Sequence, residues 1–399
     1  MPRRRISGVT RPRIVLVGCS FAGLEFLYRY VRRRAARLAP GELTVVEPKP
    51  QHPYVPLAHE AASGASAPES LRFDVEALCV SVGAGFVRGP ATAIDSRDQF
   101  VSVDGNGPLP YDRLVVAVGS EPAIPAAFAA RGVVPAKWLS DALELRDRIA
   151  VEHATTRAPV RLTIIGAGIT GVEWAAELAT SRIAGVRPIV TVVEREARLL
   201  VDFAPGVADR ASRVLRELGV PCILGRPVSE IASDAVVLDD GERIPTDIPI
   251  WGGGVRPNAV VRDLGLPLTP DGHVVVTSRL AVPGVDGVYA IGDIARVVED
   301  GSPWPTMERA IEAIWQGATL ARRLAGSWGD DGGPTHRLRR DFFYGLSLGT
   351  GHSLVVYRAF WLDARLFVHF RRWLKWAYYA RFTLLAKWGA ARTRRSAPA

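Results

Sequence analysis

The stretch Val160-Arg-Leu-Thr-Ile-Ile-Gly166-Ala-Gly168-Ile-Thr-Gly171 decides how this chain folds. Its first half is a largely apolar run, which suits a strand covered on both faces in a parallel sheet. Its second half is a Gly-x-Gly-x-x-Gly turn. Gly166 allows the tight turn, Gly168 lets the backbone approach a pyrophosphate, and Gly171 lets the next helix pack closely on the strand. A helix is expected over residues 170–184, and its N-terminus offers free N–H groups and a positive dipole end to a phosphate. Pro188-Ile-Val-Thr-Val-Val-Glu194 reads as the following strand. Its terminal carboxylate is placed for a ribose 2′-OH and would repel a 2′-phosphate, which favours NADH over NADPH. Arg195 beside it is the opposing charge.

The same unit opens the chain. Arg13-Ile-Val-Leu-Val-Gly18 is a strand, Gly18-Cys-Ser20-Phe-Ala-Gly23 a turn, residues 22–38 a helix, and Leu43-Thr-Val-Val-Glu47 a strand. The first glycine and the terminal Glu stand 29 residues apart here and 28 in the second copy. Ser20 replaces the middle glycine, so a Cβ and hydroxyl stand where the backbone would touch a pyrophosphate. Cys19 reads as a small buried filler rather than a reactive thiol.

Between the copies, Thr92–Val103 looks like hairpin material closing at Asp104-Gly105-Asn106-Gly107. Tyr111-Asp-Arg-Leu-Val-Val-Ala117-Val118-Gly119 is a buried strand and turn, and a helix is expected near 139–152. Val274–Val276 and Val288–Ile291 read as strands returning to the first domain. Tyr289-Ala-Ile-Gly292-Asp293 then puts a carboxylate at a strand end, where it can accept from a ribityl hydroxyl.

Composition sets the remaining bounds. The 399 residues allow two or three domains. Three distant cysteines and no Cys-x-x-Cys give no support to a zinc ribbon, an iron–sulfur cluster or a redox dithiol, and fit a reducing compartment. His52, His352 and His369 are too scattered for a metal site, and none is expected. The net charge of +9 is uneven: residues 1–13 carry five Arg and no acid, and residues 360–399 carry nine basic residues and one acid. The body between is mildly acidic. Basic ends of this kind suit an anionic surface. The apolar run at 14–17 is too short for a secretory signal, and no run reaches the 18 or so residues of a spanning helix.

The ordered motifs resemble the two-dinucleotide-binding flavoprotein superfamily and, within it, type II NADH dehydrogenases. They are the 18–23 loop, Glu47, His52-Pro-Tyr-Val-Pro-Leu57, Ala117-Val-Gly119, the 166–171 loop with Val172-Glu173, Trp251-Gly-Gly-Gly254 and Gly292-Asp293. The resemblance covers roughly residues 12–325. It implies an α/β fold of two Rossmann-like domains, the NAD domain inserted in the FAD domain, with a C-terminal amphipathic, membrane-binding segment. The boundaries read 12–150 and 271–330 for the FAD domain, 151–270 for the NAD(H) domain and 331–399 for the tail. The FAD contacts would fall to Gly18, Ser20, Phe21, Ala22, Gly23, Glu47, Pro48, Lys49, His52, Ala117, Gly119, Gly292 and Asp293. NADH would meet Gly166, Gly168, Ile169, Thr170, Gly171, Glu194, Gly253 and Gly254. Glu173 would lie near the nicotinamide as the catalytic residue.

The implied activity is hydride transfer from NADH to FAD, then electron transfer to a quinone-type acceptor at a membrane surface. The cofactor carries that chemistry, in keeping with a chain that shows no nucleophile, triad or metal cluster. Where the family's quinone-side helix has two glutamines, this chain has Ile311 and Trp315; Val118 replaces a threonine. Sulfide:quinone reductases are disfavoured, since Cys19 is in the loop and only Cys79 and Cys222 remain. A soluble reductase of a ferredoxin- or rubredoxin-type carrier and a non-catalytic nucleotide sensor stay open.

The tail is the last signal. Residues 360–388 hold ten aromatics and no proline. On a helical projection Leu366, Phe370, Trp373, Leu374, Ala377, Leu384 and Trp388 share one face, Arg365, Arg371, Arg372, Lys375 and Lys387 the opposite one, and Arg381 interrupts the first. This reads as a basic amphipathic helix in a membrane interface, its cations meeting anionic headgroups. The apolar face could instead cover the body or a second copy in a homodimer. The expected location is the inner, cytoplasmic face of the cell membrane. No nucleic-acid-binding motif accompanies the charges, and no nucleic acid is expected.

Overall fold

The computed structural model describes residues 12–34, 42–298, 308–326, 332–339, 343–349, 351–364 and 367–396. The chain enters through β1 (Ile14–Val17), α1 (Phe21–Arg34), β2 (Leu43–Val46), β3 (Gly85–Val87) and β4 (Arg113–Val116). It crosses over through β5 (Val134–Pro135) and α2 (Leu139–Thr156). The second unit is β6 (Arg161–Ile165), α3 (Ile169–Thr180), β7 (Ile189–Glu194), β8 (Cys222–Leu224) and β9 (Ile248–Trp251). The chain returns in β10 (Val288–Ala290) and α4 (Ala310–Ala325). It ends in β11 (Phe343–Ser347), β12 (Ser353–Tyr357), β13 (Phe360–Asp363) and α5 (Phe367–Ser396).

Two five-stranded parallel sheets result, in the orders β10-β4-β1-β2-β3 and β5-β9-β6-β7-β8. Each places its glycine-loop strand at the centre, with β2 and β4 beside β1 and β7 and β9 beside β6. The strands are apolar and buried within the two cores; Ile14 to Val17 are all at most 2% exposed. The return of β10 onto β4 makes the second Rossmann-like unit an insertion in the first.

Several sequence expectations are refined. Val274–Val276 belongs to the first core but pairs with Ala295–Val297 in a separate two-stranded sheet, not with β10. The hairpin material turns first at 96–99, Ala91–Asp95 against Phe100–Val103. The Asp104-Gly105-Asn106-Gly107 turn then leads to a third strand, Leu109–Pro110. Helix α3 stops at Thr180, four residues short of the expected end, where Ser181 turns to extended backbone. The expected end of the first helix, residues 35–41, lies outside the described residues, as do Arg3, Arg4, Arg5 and Arg11.

The tail is part of the body. Leu346, Leu354 and Val356 of the β11–β13 sheet join the second core, while Tyr379, Phe382 and Leu385 of α5 join the first. Gly389 sits against the Ser81 carbonyl of the helix Val75–Val82, a gap with no room for a Cβ. The sequence placed the cations of α5 against lipid headgroups, and the structure corrects this for three of them. Arg371 meets Glu173, Arg372 meets Glu60, and Lys375 bonds Ser70. Arg381, expected to interrupt the apolar face, turns inward to Glu25 at 2.5 Å and lies over the rings of Tyr28, Tyr378 and Phe382. The physical reason is that Glu25, Glu60 and Glu173 are themselves buried and require partners. The apolar face is left outward: Phe370, Trp373, Trp376, Leu384 and Trp388 are 41–66% exposed. Arg365 and Leu366 lie outside the described residues.

Candidate functional site

The two glycine turns are built alike. The N–H of Gly18 donates to the Val46 carbonyl and that of Gly166 to the Val193 carbonyl, both at 2.8 Å. The terminal acid of the next strand then folds back on the turn. Glu47 accepts from the Cys19 N–H at 2.8 Å, and Glu194 from the Ala167 N–H at 2.5 Å. Each carboxylate is thereby fixed at the mouth of its loop. Gly166 has φ +105°, and a Cβ there would stand 2.6 Å from Gly253, so the turn and the Trp251-Gly-Gly-Gly254 segment touch backbone to backbone. Gly23 and Gly171 pack against the carbonyls of Gly18 and Gly166, which leaves no space for a side chain.

Gly168 differs from these. It is the N-cap of α3, no side chain caps that end, and a Cβ there would meet nothing within 4 Å. Neither α1 nor α3 carries an acid in its first turn. Two helix N-termini therefore point unneutralised N–H groups at open space, which is the arrangement that binds a pyrophosphate. Ser20 occupies the matching position in the first loop, its side chain on the cavity wall.

That open space is one cavity of about 960 Å³ that reaches both loops. Ser20, Phe21, Ala22, Ala117, Gly119, Gly292 and Asp293 line it from the first unit. Gly166, Gly168, Ile169, Thr170, Glu173, Glu194, Gly253 and Gly254 line it from the second. Gly18, Gly23, Glu47, Pro48, Lys49, His52 and Gly171 do not. The three glycines are packed behind their loops, and Glu47 braces the loop from the side. His52 is 2% exposed behind Phe21, ring centroids 4.8 Å apart, with neither ring nitrogen bonded. Burial pushes its pKa down to about 3, so it is neutral.

Asp293 is half-buried at the cavity wall and accepts from the Ser120 hydroxyl. Lys137 donates to the Ser120 carbonyl and hydroxyl, both at 2.6 Å, and lies 4.8 Å from the Trp138 ring. Burial raises the Asp293 pKa and lowers that of Lys137, and each charge partly restores the other. Lys137 and Ser120 carried no sequence signal, because they converge only through the crossover between the units. Gln316 holds the turn from behind, accepting from the Gly292 N–H at 2.7 Å. The two replaced glutamines differ in effect: Ile311 lines the cavity, whereas the Trp315 ring sits 5.2 Å from the Arg339 guanidinium and does not.

Glu173 marks the far end. Its carboxylate accepts from Arg371 at 2.6 Å and from the Ser347 N–H at 2.9 Å, and Arg371 also donates to the Pro56 carbonyl at 2.9 Å. Burial raises the Glu173 pKa, and Arg371 with the Ser347 N–H opposes the rise. One guanidinium from α5 thus joins both Rossmann-like units beside the cavity, with Phe343, Tyr344 and Gly345 completing that wall. Among the described residues no group of three His, Cys, Asp or Glu side chains could hold a metal ion.

The comparisons agree with this geometry. A type II NADH:quinone oxidoreductase of Staphylococcus saprophyticus is 26% identical over 337 residues, 79% of this chain and 82% of that protein. The NDH2 of Plasmodium falciparum, solved in complex with NADH, superposes with a TM-score of 0.80 at 14% identity, covering 96% of this chain and 98% of that one. The sulfide:quinone oxidoreductase of Aquifex aeolicus superposes with a TM-score of 0.76 at 16% identity, over 94% and 92%. The model of the family described as pyridine nucleotide-disulphide oxidoreductase matches residues 12–317, well over half of the chain, and the chain belongs to that family.

Proposed function

We propose that the chain oxidises NADH through FAD and passes the electrons to a quinone at a membrane surface. The single observation that carries this reading is the shared cavity: two helix N-termini with no acid in their first turns open into it, and Phe343, Tyr344, Gly345 and Arg371 of the tail complete one of its walls. The names of the staphylococcal relative and of the Plasmodium neighbour support the same activity.

The residues present fit both groups. The α1 N-terminus and Ser20 would meet the FAD pyrophosphate, Glu47 its ribose, and Asp293 its ribityl hydroxyls. The α3 N-terminus would meet the NADH pyrophosphate across Gly168, and Glu194 the adenosine ribose. FAD, when bound, accepts a hydride and releases its electrons to the second substrate. The protein orients both partners and dries the space between them. Gly254 leaves room for a flat ring, Lys137 sets positive charge near Asp293, and Arg371 opposes the rise that burial imposes on the Glu173 pKa at the tail end.

The outward face of α5, together with Phe343, Phe360 and Leu362, which are 67–79% exposed, supports a peripheral membrane position. These three share one face of the β11–β13 sheet, and Phe367 of α5 packs on that face at Gly345. No described helix is long and apolar enough to cross a membrane. Apolar patches of this kind, beside the mouth of a cavity, suit a hydrophobic acceptor arriving from lipid.

Anaerobic stopped-flow measurement tests the reading. NADH should bleach the flavin within seconds, and a quinone in anionic vesicles should restore the colour faster than a ferredoxin- or rubredoxin-type carrier does. Reoxidation by the carrier alone would overturn the acceptor assignment.

A further inference from the structure

A second polar assembly reaches the same cavity from behind Asp293. His273, just before the strand Val274–Val276, is 4% exposed, and both its ring nitrogens face carboxylates. Nε2 lies 2.7 Å from Glu308 Oε1, and Nδ1 lies 3.1 Å from Asp271 Oδ2. The two acids differ in setting. Asp271 is 58% exposed at the surface, while Glu308 lines the cavity. Thr269 donates to Asp271 at 2.5 Å, and Arg296 Nη2 lies 2.6 Å from Asp271 Oδ2 and 3.0 Å from Nδ1. These contacts hold the Asp271 pKa down at about 2. On the cavity side Glu308 feels the charges of Lys137 and Asp293.

We propose that Glu308, backed by His273 and Asp271, supplies the proton that the reaction draws from water. The proposal rests on the NADH:quinone reading. In the net reaction, NADH + H⁺ + quinone gives NAD⁺ + quinol. The hydride brings two electrons and one proton, and a second proton has to enter. Arg296, held by Asp271, donates to Nδ1, so the ring proton sits on Nε2, the nitrogen that shares it with Glu308. Glu308 releases that proton into the cavity as the acceptor takes its electrons. Water entering as product leaves restores it. A purely structural ion cluster joining Asp271 and Arg296 would not need a third member on the cavity wall. Glu308 is the catalytic group here, and His273 and Asp271 are positioning residues.

The test compares the holoenzyme with Glu308→Gln and His273→Gln, each reduced anaerobically by NADH. Reduction should be unchanged, because hydride transfer takes no proton from water. Reoxidation by a water-soluble benzoquinone should slow at least tenfold. Reoxidation by ferricyanide, which takes electrons alone, should stay within twofold. As a readout independent of turnover, the flavin midpoint potential plotted against pH should show a break in the wild type that both variants lose. Equal slowing with both oxidants, or no slowing with either, would overturn the proposal. A wild type that reduces benzoquinone but no membrane quinone would remove the acceptor assignment and leave this comparison intact.

Discussion

At the residue scale, the loop glycines divide into those that face backbone and those that face open space. Gly171→Ala should cost about 3 kcal/mol or more of stability, because its Cβ would overlap the Gly166 carbonyl. Gly168→Val should leave the melting temperature within a degree or two and weaken NADH binding at least tenfold, since only the ligand contests that space. Thermal melts and NADH titrations of the two variants check this contrast, and equal losses of stability would contradict it. Glu194→Ala should raise the KM for NADH more than that for NADPH, as the carboxylate fixed by the Ala167 N–H would repel a 2′-phosphate. These residues were legible in the sequence because each has a local backbone reason to be there. Lys137, Ser120 and Arg371 were not legible, since nothing in their neighbourhoods says that the fold will bring them to Asp293 and Glu173. His52 shows the reverse error: a motif residue that the fold turns away from the cavity into an aromatic cluster.

At the element scale, the largest change concerns α5. Its amphipathic pattern was readable, but which face meets the protein was not, because burial of cations depends on distant acids. With Arg371, Arg372 and Arg381 spent on Glu173, Glu60 and Glu25, the helix works as a strap across both units. Deleting residues 360–399 would therefore expose core and strand three buried carboxylates, rather than simply detach the protein from membranes. Point changes separate the roles. Phe382→Ala, at 0% exposure, should cost about 3–5 kcal/mol. Trp376→Ser combined with Leu384→Ser, at 65% and 66% exposure, should leave stability unchanged and reduce binding to anionic vesicles severalfold. Vesicle flotation and urea unfolding read the two effects apart; unchanged flotation of the double variant would contradict the outward-face reading.

At the scale of the whole molecule, two buried neutral histidines set an acid limit. Burial pushes His52 down to about 3 and lowers His59 as well, its nearby Arg371 and Arg372 adding to the effect. A lowered histidine pKa means that the unfolded chain binds more protons. Stability is then full above the unfolded value near 6.5 and falls as the pH drops toward the folded value. Each ring contributes a slope of about 1.4 kcal/mol per pH unit within that window. His52→Phe should remove about one such slope between pH 6 and 5 in urea unfolding, and an unchanged slope would show that the ring is not buried as a neutral group. The overall topology was largely legible, because two copies of one strand–turn–helix–strand pattern leave few ways to arrange parallel strands. Of the small sheets only the 92–103 hairpin material and the strand Val274–Val276 were legible; others, such as Gln51–Pro53 with Arg72–Asp74, are built from short strands with little periodicity.

The central claim is that one cavity joins FAD on the first loop to NADH on the second. It is tested most directly by counting flavin and titrating it. The purified protein, reconstituted if needed, should hold one FAD per chain, and one equivalent of NADH added anaerobically should bleach it fully, with Gly168→Val abolishing the bleaching at that concentration. A chain that takes up no FAD, or one whose bound FAD stays oxidised with NADH in excess, would contradict the account.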